Sequence, residues 1–199
     1  MGFLRNRGLS DEEKARIPPG QHRVRDFPVL HVGDVPYRAA PDTWELAVWG
    51  EVENPMRWSL DQLRALPATE VTTDIHCVTS WSKLDTHWKG VSMPWLLDQI
   101  QPTSAAAHVL AHAEGGYTAN VPLDALRDND VLLAYEFAGR ELELEHGRPL
   151  RLLVPKKYFW KSAKWLRGLE FLTEDRLGYW ERYGYSNSAD PWKEERYAF

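Results

Sequence analysis

The sequence predicts a mixed α+β fold, a single domain with several strands and a few short helices. Segments with strand-like composition outnumber segments with helical spacing, and the helical segments are short. The chain has 199 residues, of which 43% are hydrophobic and 27% charged, which is the balance of a globular protein. We find no internal repeat and no linker that would separate two domains. A chain of this length can bury one sizeable core.

The strand candidates have β-rich composition or alternate apolar and polar positions. The candidate at residues 71–78 is rich in β-branched residues and brings Cys77 near its end. Asn54-Pro55 supplies a turn signal after the candidate at 44–50, and Gly115-Gly116 supplies one after the candidate at 108–113. The candidates are residues 44–50, 71–78, 108–113, 117–123, 131–136, 150–155 and 164–172.

The helical signals are short. Ser59 precedes leucines at helical spacing, and Pro67 ends that segment. Residues 93–100 have the apolar spacing of a short amphipathic helix, and residues 123–126 indicate another short helix. The sequence therefore predicts short helices that connect strands.

Both ends of the chain are expected to be irregular. Residues 1–26 are rich in Pro, Gly and Arg and are interpreted as an N-terminal arm, with a capped helix start at residues 10–13. The domain proper is assigned to residues 27–199. Within it, residues 178–199 are aromatic and charged without a clear period, which predicts a coil packed back over the body.

Charge and hydropathy exclude several classes of protein. The net charge of −5 and the pI near 5.8 argue against a nucleic-acid-binding protein, which usually has a basic face. No apolar stretch approaches the roughly 20 residues that span a bilayer, so no membrane span is expected. The first residues do not have the pattern of a signal peptide, and the expected location is the cytoplasm.

Cys77 is the only cysteine, which excludes an internal disulfide and every multi-cysteine metal site. A lone cysteine at the end of a β segment is most often a small buried apolar residue. Here His76 precedes it, and residues 78–82 are expected to form a polar, aromatic loop that suits a partly exposed thiol. Two chemical roles stay open: a soft metal ligand, or a nucleophile with His76 or His112 as its base.

A second group of candidate residues lies at 146–151 and 156–165. It gathers His146, Arg151, several lysines and the short polar loop at Ser162 and Ala163. Arginine and lysine can hold a phosphate, and backbone N–H groups of a loop of small residues can cradle one. The alternative interpretation is a solvated basic turn.

Four segments together resemble the molybdopterin-binding domain of the sulfite oxidases. The likeness runs from about residue 27 to the C-terminus and is closest to the small bacterial members without a haem domain. Four landmarks in the same order are far more specific than one motif. They are His-Cys-Val-Thr-Ser-Trp-Ser at 76–82, Gly-Gly-Tyr-Thr-Ala-Asn-Val-Pro-Leu at 115–123, His-Gly-Arg-Pro-Leu-Arg at 146–151 and Lys-Ser-Ala-Lys-Trp-Leu at 161–166.

The resemblance implies a molybdenum–molybdopterin cofactor and assigns roles residue by residue. Cys77 matches the cysteine that ligates molybdenum, and Tyr185 matches an active-site tyrosine beside the metal. The remaining matches are contacts to the pterin and its phosphate, among which the register at Ala113 is not fixed. They are Leu30, His31, Ala113, His146, Arg151, Ser162, Ala163 and Lys164.

The departures from the family pattern limit the substrate. Sulfite oxidases have an arginine just after the cysteine, whereas Ser82 and Lys83 occupy that stretch here. Oxygen-atom transfer from an S-oxide or N-oxide is therefore favoured over sulfite oxidation. The sequence contains no haem-binding segment, which implies a separate electron-transfer partner beside a small-molecule substrate. The alternatives are a molybdopterin carrier without turnover and a cysteine hydrolase that uses Cys77.

Overall fold

The computed structural model describes residues 8–36 and 43–198 and confirms a mixed α and β fold with few, short helices. Within these residues, two sheets, one of six strands and one of five, are connected by short helices and turns. In that part of the chain no helix is long and apolar enough to cross a membrane.

The strands and helices are labelled in chain order. The strands are β1 (His22–Arg23), β2 (Glu45–Gly50), β3 (Met56–Ser59), β4 (Ala68–His76), β5 (Trp81–Ser92), β6 (His108–Ala113), β7 (Thr118–Pro122), β8 (Leu132–Phe137), β9 (Arg140–Glu141), β10 (Arg151–Leu153) and β11 (Leu166–Leu172). The α-helices are α1 (Asp11–Ala15), α2 (Leu60–Arg64), α3 (Met93–Ile100) and α4 (Tyr179–Arg182).

The first sheet is organised around the long strand β5. This strand pairs antiparallel with β4 and with β8, and parallel with β1. Strands β10 and β9 each pair antiparallel with β8. The β4–β5 hairpin therefore carries the Cys77 segment at its tip, at the end of the sheet where the candidate site lies.

The second sheet has the strand order β3-β2-β11-β6-β7. Its central pair, β2 and β11, is parallel, and the other neighbours are antiparallel. Gly168 on β11 allows the Trp49 ring to lie across the strand, because an added Cβ would approach that ring to 2.5 Å. Strand β11, which follows the predicted phosphate loop along the chain, lies between β2 and β6 in this sheet.

The main core lies where residues of both sheets meet helices α2 and α3. Apolar side chains alternate inward along the strands, as in β2, where Leu46 and Val48 are buried. A second apolar cluster includes Cys77 and gathers Trp81, Trp88 and Leu153 around the first sheet. The candidate cysteine is thus part of a packed apolar cluster as well as of a loop.

The predicted helices at residues 93–100 and after Ser59 are confirmed. Ser59 caps α2 by accepting from the Gln62 N–H, and the Gln62 side chain accepts from the Ser59 N–H in return. Ser92 caps α3 in a similar way. The segment expected to be helical at 123–126 is one turn of 3-10 helix.

Strand β5 corrects the sequence interpretation, which placed Trp81 and Ser82 in a loop and did not identify a strand there. The buried side of β5 includes the polar residues Ser82 and Thr86, which obscure the apolar alternation. Both are satisfied inside the protein: the Ser82 hydroxyl lies 2.8 Å from His76 Nδ1, and the Thr86 hydroxyl accepts from Trp88 Nε1.

The C-terminal segment is less irregular than expected. It contains helix α4 and one 3-10 turn at Pro191–Lys193, whereas the sequence predicted only coil. It packs on the body, since Ala189 is fully buried and its carbonyl accepts from the Tyr158 N–H. Near the other end, β1 pairs with β5, and the division of the chain after residue 26 stays a prediction.

Candidate active site

A cavity of about 560 Å³ opens where the β4–β5 turn, the segment after β6, residues 158–165 and the C-terminal segment meet. This volume is within the range of ligand sites in proteins. The cavity has a thiol on one wall, cationic side chains on another and aromatic rings on a third.

The Cys77 wall is a tight turn between β4 and β5. The Cys77 N–H donates to the Trp81 carbonyl, and the Ser80 N–H donates back to the Cys77 carbonyl. Ser80 adopts a positive φ of 72°, which closes the turn at a position where non-glycine residues are uncommon. Gln21 also donates to the Cys77 carbonyl, at 3.1 Å. The backbone of the cysteine is therefore fixed from both sides.

The Cys77 sulfur receives hydrogen bonds from its own turn. The Thr79 hydroxyl donates to Sγ at 3.2 Å. Burial raises the pKa of the Cys77 thiol, while the Thr79 hydroxyl, the N–H groups of Thr79 and Val78, and the charge of Arg196 act to lower it. The turn thus supplies donors that stabilise a thiolate at a site whose burial opposes a free one.

Arg151 is the most deeply buried residue of the cationic wall. Its guanidinium is fully buried and donates to the carbonyls of His146 and Ser162, both at 2.9 Å. The Phe159 ring centroid lies 4.3 Å from its Cζ. Among the described residues no carboxylate lies within ion-pairing distance, and Nε is buried without a partner. Burial lowers the pKa of Arg151 to about 9, so the protein holds a cation that a bound anion would stabilise.

Lys164 and His146 add to this wall. Burial and the charge of Arg151 lower the pKa of Lys164 to about 7, and burial lowers the pKa of His146 as well. Gly147 makes this close packing possible, because its φ is 114° and an added Cβ would lie 3.1 Å from the Cβ atoms of both Arg151 and Lys164. Only His146 has a carboxylate close by, the exposed Glu143 at 3.4 Å; among the described residues neither Arg151 nor Lys164 forms an ion pair. Basic groups crowded together in this way form a site for phosphate.

The third wall is aromatic and comes mainly from the C-terminal segment. Tyr185 packs its ring 4.9 Å from Trp180 and 5.3 Å from Trp160, centroid to centroid. Burial raises the pKa of Tyr185, so its hydroxyl keeps its proton at neutral pH. Tyr185 and Cys77 line the same cavity, and they come from parts of the chain more than 100 residues apart.

A buried ion pair anchors the aromatic wall. Lys161 Nζ lies 2.6 Å from Glu181 Oε1, and each side chain is only 1% exposed. Lys161 also donates to Asn120 Oδ1 at 2.9 Å, and Trp160 Nε1 donates to Glu181 at 2.7 Å. Because Glu181 belongs to α4, this network fixes the segment that carries Trp180 and Tyr185.

Most residues assigned from the sequence line the cavity. Ala113 does not: it is the last residue of β6, and the following residue, Glu114, faces the cavity. The two histidines considered as bases for Cys77 are elsewhere, since His76 bonds to Ser82 and His112 pairs with Glu170 at 2.8 Å. The assigned residues that line the cavity are Leu30, His31, Cys77, His146, Arg151, Ser162, Ala163, Lys164 and Tyr185.

Sequence reasoning missed several aromatic cavity residues. Phe27 stacks on His146 with centroids 4.0 Å apart, and its carbonyl lies 3.2 Å from His146 Nε2. Tyr117 lines the cavity and donates its hydroxyl to the Trp160 carbonyl. The abundance of tryptophan was a signal for such a wall, but composition does not tell which rings are in the core and which face a ligand.

Comparison with known proteins is consistent with this geometry. Residues 32–180 match the family described as the oxidoreductase molybdopterin binding domain. The chain is 45% identical over 188 residues to the uncharacterized oxidoreductase YuiH of Bacillus subtilis, covering 94% of this chain and 95% of that protein. It is 28% identical to the protein-methionine-sulfoxide reductase catalytic subunit MsrP of Pseudomonas syringae pv. tomato, covering 75% of this chain and 51% of MsrP.

Two further relatives extend the comparison. The putative protein-methionine-sulfoxide reductase subunit YedZ1 of Azospira oryzae is 28% identical over 174 residues, covering 86% of this chain and 66% of that protein. The sulfane dehydrogenase SoxCD from Paracoccus pantotrophus has the same fold, with a TM-score of 0.64 at 18% identity over 92% of this chain and 57% of that chain.

The chain belongs to the oxidoreductase molybdopterin-binding family of the sulfite-oxidase type. It is an oxidoreductase, and its cofactor is molybdenum–molybdopterin. The residues fit this group on two observations. The buried Nε of Arg151, which has no partner among the described residues, belongs to a cationic wall suited to a phosphate, and the thiol of Cys77, a soft ligand, lines the same cavity.

We predict that Lys161→Met destabilises the protein by about 3–5 kcal/mol, because it leaves the Glu181 carboxylate buried and unpaired. The double variant Lys161→Met/Glu181→Gln should recover most of this loss, since glutamine removes the charge and keeps an acceptor for Trp160. Urea denaturation measures both. A double variant as unstable as the single one would show that the buried charge is not the cause.

We predict that Lys164 makes stability depend on pH. Its folded pKa of about 7 is below the 10.5 of a free lysine, so the unfolded chain binds more protons between these values and stability rises with pH across that window. Lys164→Met should remove this contribution in urea titrations between pH 7 and 9 on protein freed of cofactor and phosphate. Lys156→Met, at the surface beside Asp128, is the control. Equal pH dependence in wild type and Lys164→Met would contradict the prediction.

Proposed function

We propose that this protein reduces S-oxides of small molecules by oxygen-atom transfer, with Cys77 as the ligand of molybdenum. The observation that carries the proposal is the cavity itself, in which a thiol supplied with hydrogen-bond donors and a protonated tyrosine share space with an anion-binding wall. The relatives named as methionine-sulfoxide reductase subunits support an S-oxide as substrate, although the chain spans only about half the length of MsrP.

The cationic wall would hold the cofactor. Arg151, Lys164 and His146 offer charge to the phosphate, and the loop at Ser162 and Ala163 lines the same part of the cavity. Molybdenum–molybdopterin supplies the two-electron redox chemistry when it is bound. The chain positions the group through these contacts and provides the thiolate of Cys77 as a soft ligand.

The region around Tyr185 favours a neutral substrate. Lys83, in the stretch where the sulfite oxidases have an arginine, donates to the Arg25 carbonyl, and Ser82 bonds to His76. Neither residue lines the cavity within the described part of the chain. Aromatic rings such as Trp180 offer polarizable surface to a sulfur centre. A sulfoxide therefore suits this wall better than the dianion sulfite.

The tyrosine supplies a proton where the oxygen leaves. Reduction of a sulfoxide breaks the S–O bond and consumes two electrons and two protons, with the oxygen released as water. The Tyr185 hydroxyl can donate a hydrogen bond to that oxygen and pass on one proton. Burial keeps the tyrosine protonated, which suits a donor.

The electrons are proposed to come from a separate protein. The relatives are named as a subunit and a catalytic subunit, which is consistent with a divided system. The expected cytoplasmic location stays a prediction. Of the two alternatives considered, a cysteine hydrolase is disfavoured because neither His76 nor His112 lines the cavity beside Cys77. His146 does line it, but its two ring nitrogens lie at the Phe27 carbonyl and the Glu143 carboxylate. A carrier without turnover is tested by the assays below.

We predict that Cys77→Ala abolishes sulfoxide reduction and the absorption band that reports charge transfer between thiolate and molybdenum. The matched variant Cys77→Ser keeps the size of the side chain and should also lack the band, because it offers a hard oxygen in place of sulfur. Elemental analysis, absorption spectroscopy and an assay with an artificial electron donor measure these outcomes. Native protein that holds molybdenum yet reduces no sulfoxide or N-oxide would favour the carrier.

We predict that Tyr185→Phe lowers kcat by roughly 10²-fold with little change in KM, since it removes the proton donor and keeps the ring packing. Tyr183→Phe is the matched control, because Tyr183 is 69% exposed and does not line the cavity. Steady-state kinetics on the loaded enzyme measures both. Equal rates for the two variants would rule out the proposed role of Tyr185.

A further inference from the structure

Arg196, near the C-terminus, reaches the turn that carries Cys77. Its Nη1 donates to the carbonyl oxygen of Val78, a contact between residues 118 positions apart in the chain. The guanidinium also lies over the Tyr158 ring, 5.1 Å from its centroid, and 3.9 Å from the Glu194 carboxylate. The side chain is 16% exposed, so most of its surface is in contact with the protein.

The Val78 carbonyl belongs to the same planar peptide group as the Thr79 N–H. Arg196 therefore holds the oxygen end of this group. The N–H end belongs to Thr79, whose hydroxyl donates to the Cys77 sulfur at 3.2 Å. A cation bound at the oxygen of an amide withdraws electron density and strengthens the hydrogen bond that the N–H donates. One peptide group thus connects the residue that Arg196 contacts to Thr79, which donates to the thiol.

The same residue also fixes the segment of Tyr185. The Arg196 carbonyl accepts from the Ser186 N–H, and the next residue, Tyr197, pairs with Tyr185 in an antiparallel bridge. The two tyrosine rings are 5.3 Å apart. Arg196 does not line the cavity, so it acts on both walls from behind them.

We propose that Arg196 is a positioning residue that sets how strongly the Cys77 thiolate donates electrons to molybdenum, through the Val78–Thr79 peptide group. The proposal rests on the assignment of Cys77 as the metal ligand made above. Hydrogen bonds and positive charge near a ligating sulfur reduce its electron donation and raise the reduction potential of the metal. Arg196 supplies both effects without touching the sulfur.

The test compares four variants in the protein as purified with its cofactor. Arg196→Gln removes the charge, and Arg196→Lys keeps it. Thr79→Val removes the hydroxyl hydrogen bond to the same sulfur and serves as the positive control. Arg64→Gln removes an arginine that pairs with Glu141 at a distant surface and serves as the matched control. The measurements are the thiolate-to-molybdenum absorption band, the midpoint potential and the amide proton shift of Thr79.

We expect Arg196→Gln to move the absorption band to longer wavelength, lower the midpoint potential and shift the Thr79 amide proton upfield. Thr79→Val should change the band and the potential in the same direction, Arg196→Lys should restore part of both, and Arg64→Gln should leave them unchanged. A band, a potential and an amide shift that Arg196→Gln leaves unchanged would overturn the proposal, even if the variant lowers Tm.

The two proposals fail separately. If native protein lacks the absorption band, the assignment of Cys77 as ligand fails, and the Thr79 amide shift still decides whether Arg196 acts through the peptide group. If the band is present in native protein, absent in Cys77→Ala and unmoved in Arg196→Gln, only the inference about Arg196 fails.

Discussion

The site depends on the interactions that hold the guanidinium of Arg151 inside the protein. A fully buried cation without a carboxylate partner is expensive, and here backbone carbonyls and aromatic rings compensate only part of the cost. Its Nε is buried without a partner among the described residues, and burial lowers the pKa of Arg151, so an anion bound here would stabilise the charged form. Gly147 packs closely on the same residue, because an added Cβ would lie 3.1 Å from the Arg151 Cβ. The cofactor's phosphate would supply the negative charge that balances the Arg151 guanidinium.

The C-terminal segment is part of the active site although it adds only one short helix to the fold. Two long-range contacts place it: the buried pair of Lys161 and Glu181 fixes its beginning, and Arg196 fixes its end against the turn of Cys77. Between these two points lies Tyr185. Tyr185 therefore acquires a defined position from these two side-chain contacts together with its backbone bridge to Tyr197.

The sequence was sufficient to find residues that line the cavity and insufficient to place the elements that form its walls. Cys77, His146 and Arg151 could be assigned because they lie in short motifs whose order is specific. Strand β5 could not, since Ser82 and Thr86 occupy its buried side and only the folded protein shows the partners that satisfy them. Arg196 and Glu181 could not either, because their partners are distant along the chain and neither residue lies in a recognisable pattern. Side-chain pairing across a fold has no local signature.

The cavity has a cationic part and a neutral part, which suit the cofactor and the substrate respectively. Positive charge collects at Arg151 and Lys164, where the phosphate would bind, whereas the wall around Tyr185 is built from neutral rings. Cys77 lines the same cavity, and its thiolate is stabilised by turn donors and, through one peptide group, by a cation outside the cavity. An arginine placed behind the turn tunes the sulfur without offering an anion site to the substrate. An arginine inside the cavity would select the anion sulfite. Arg196 acts from outside the cavity and leaves the wall around Tyr185 suited to a neutral substrate.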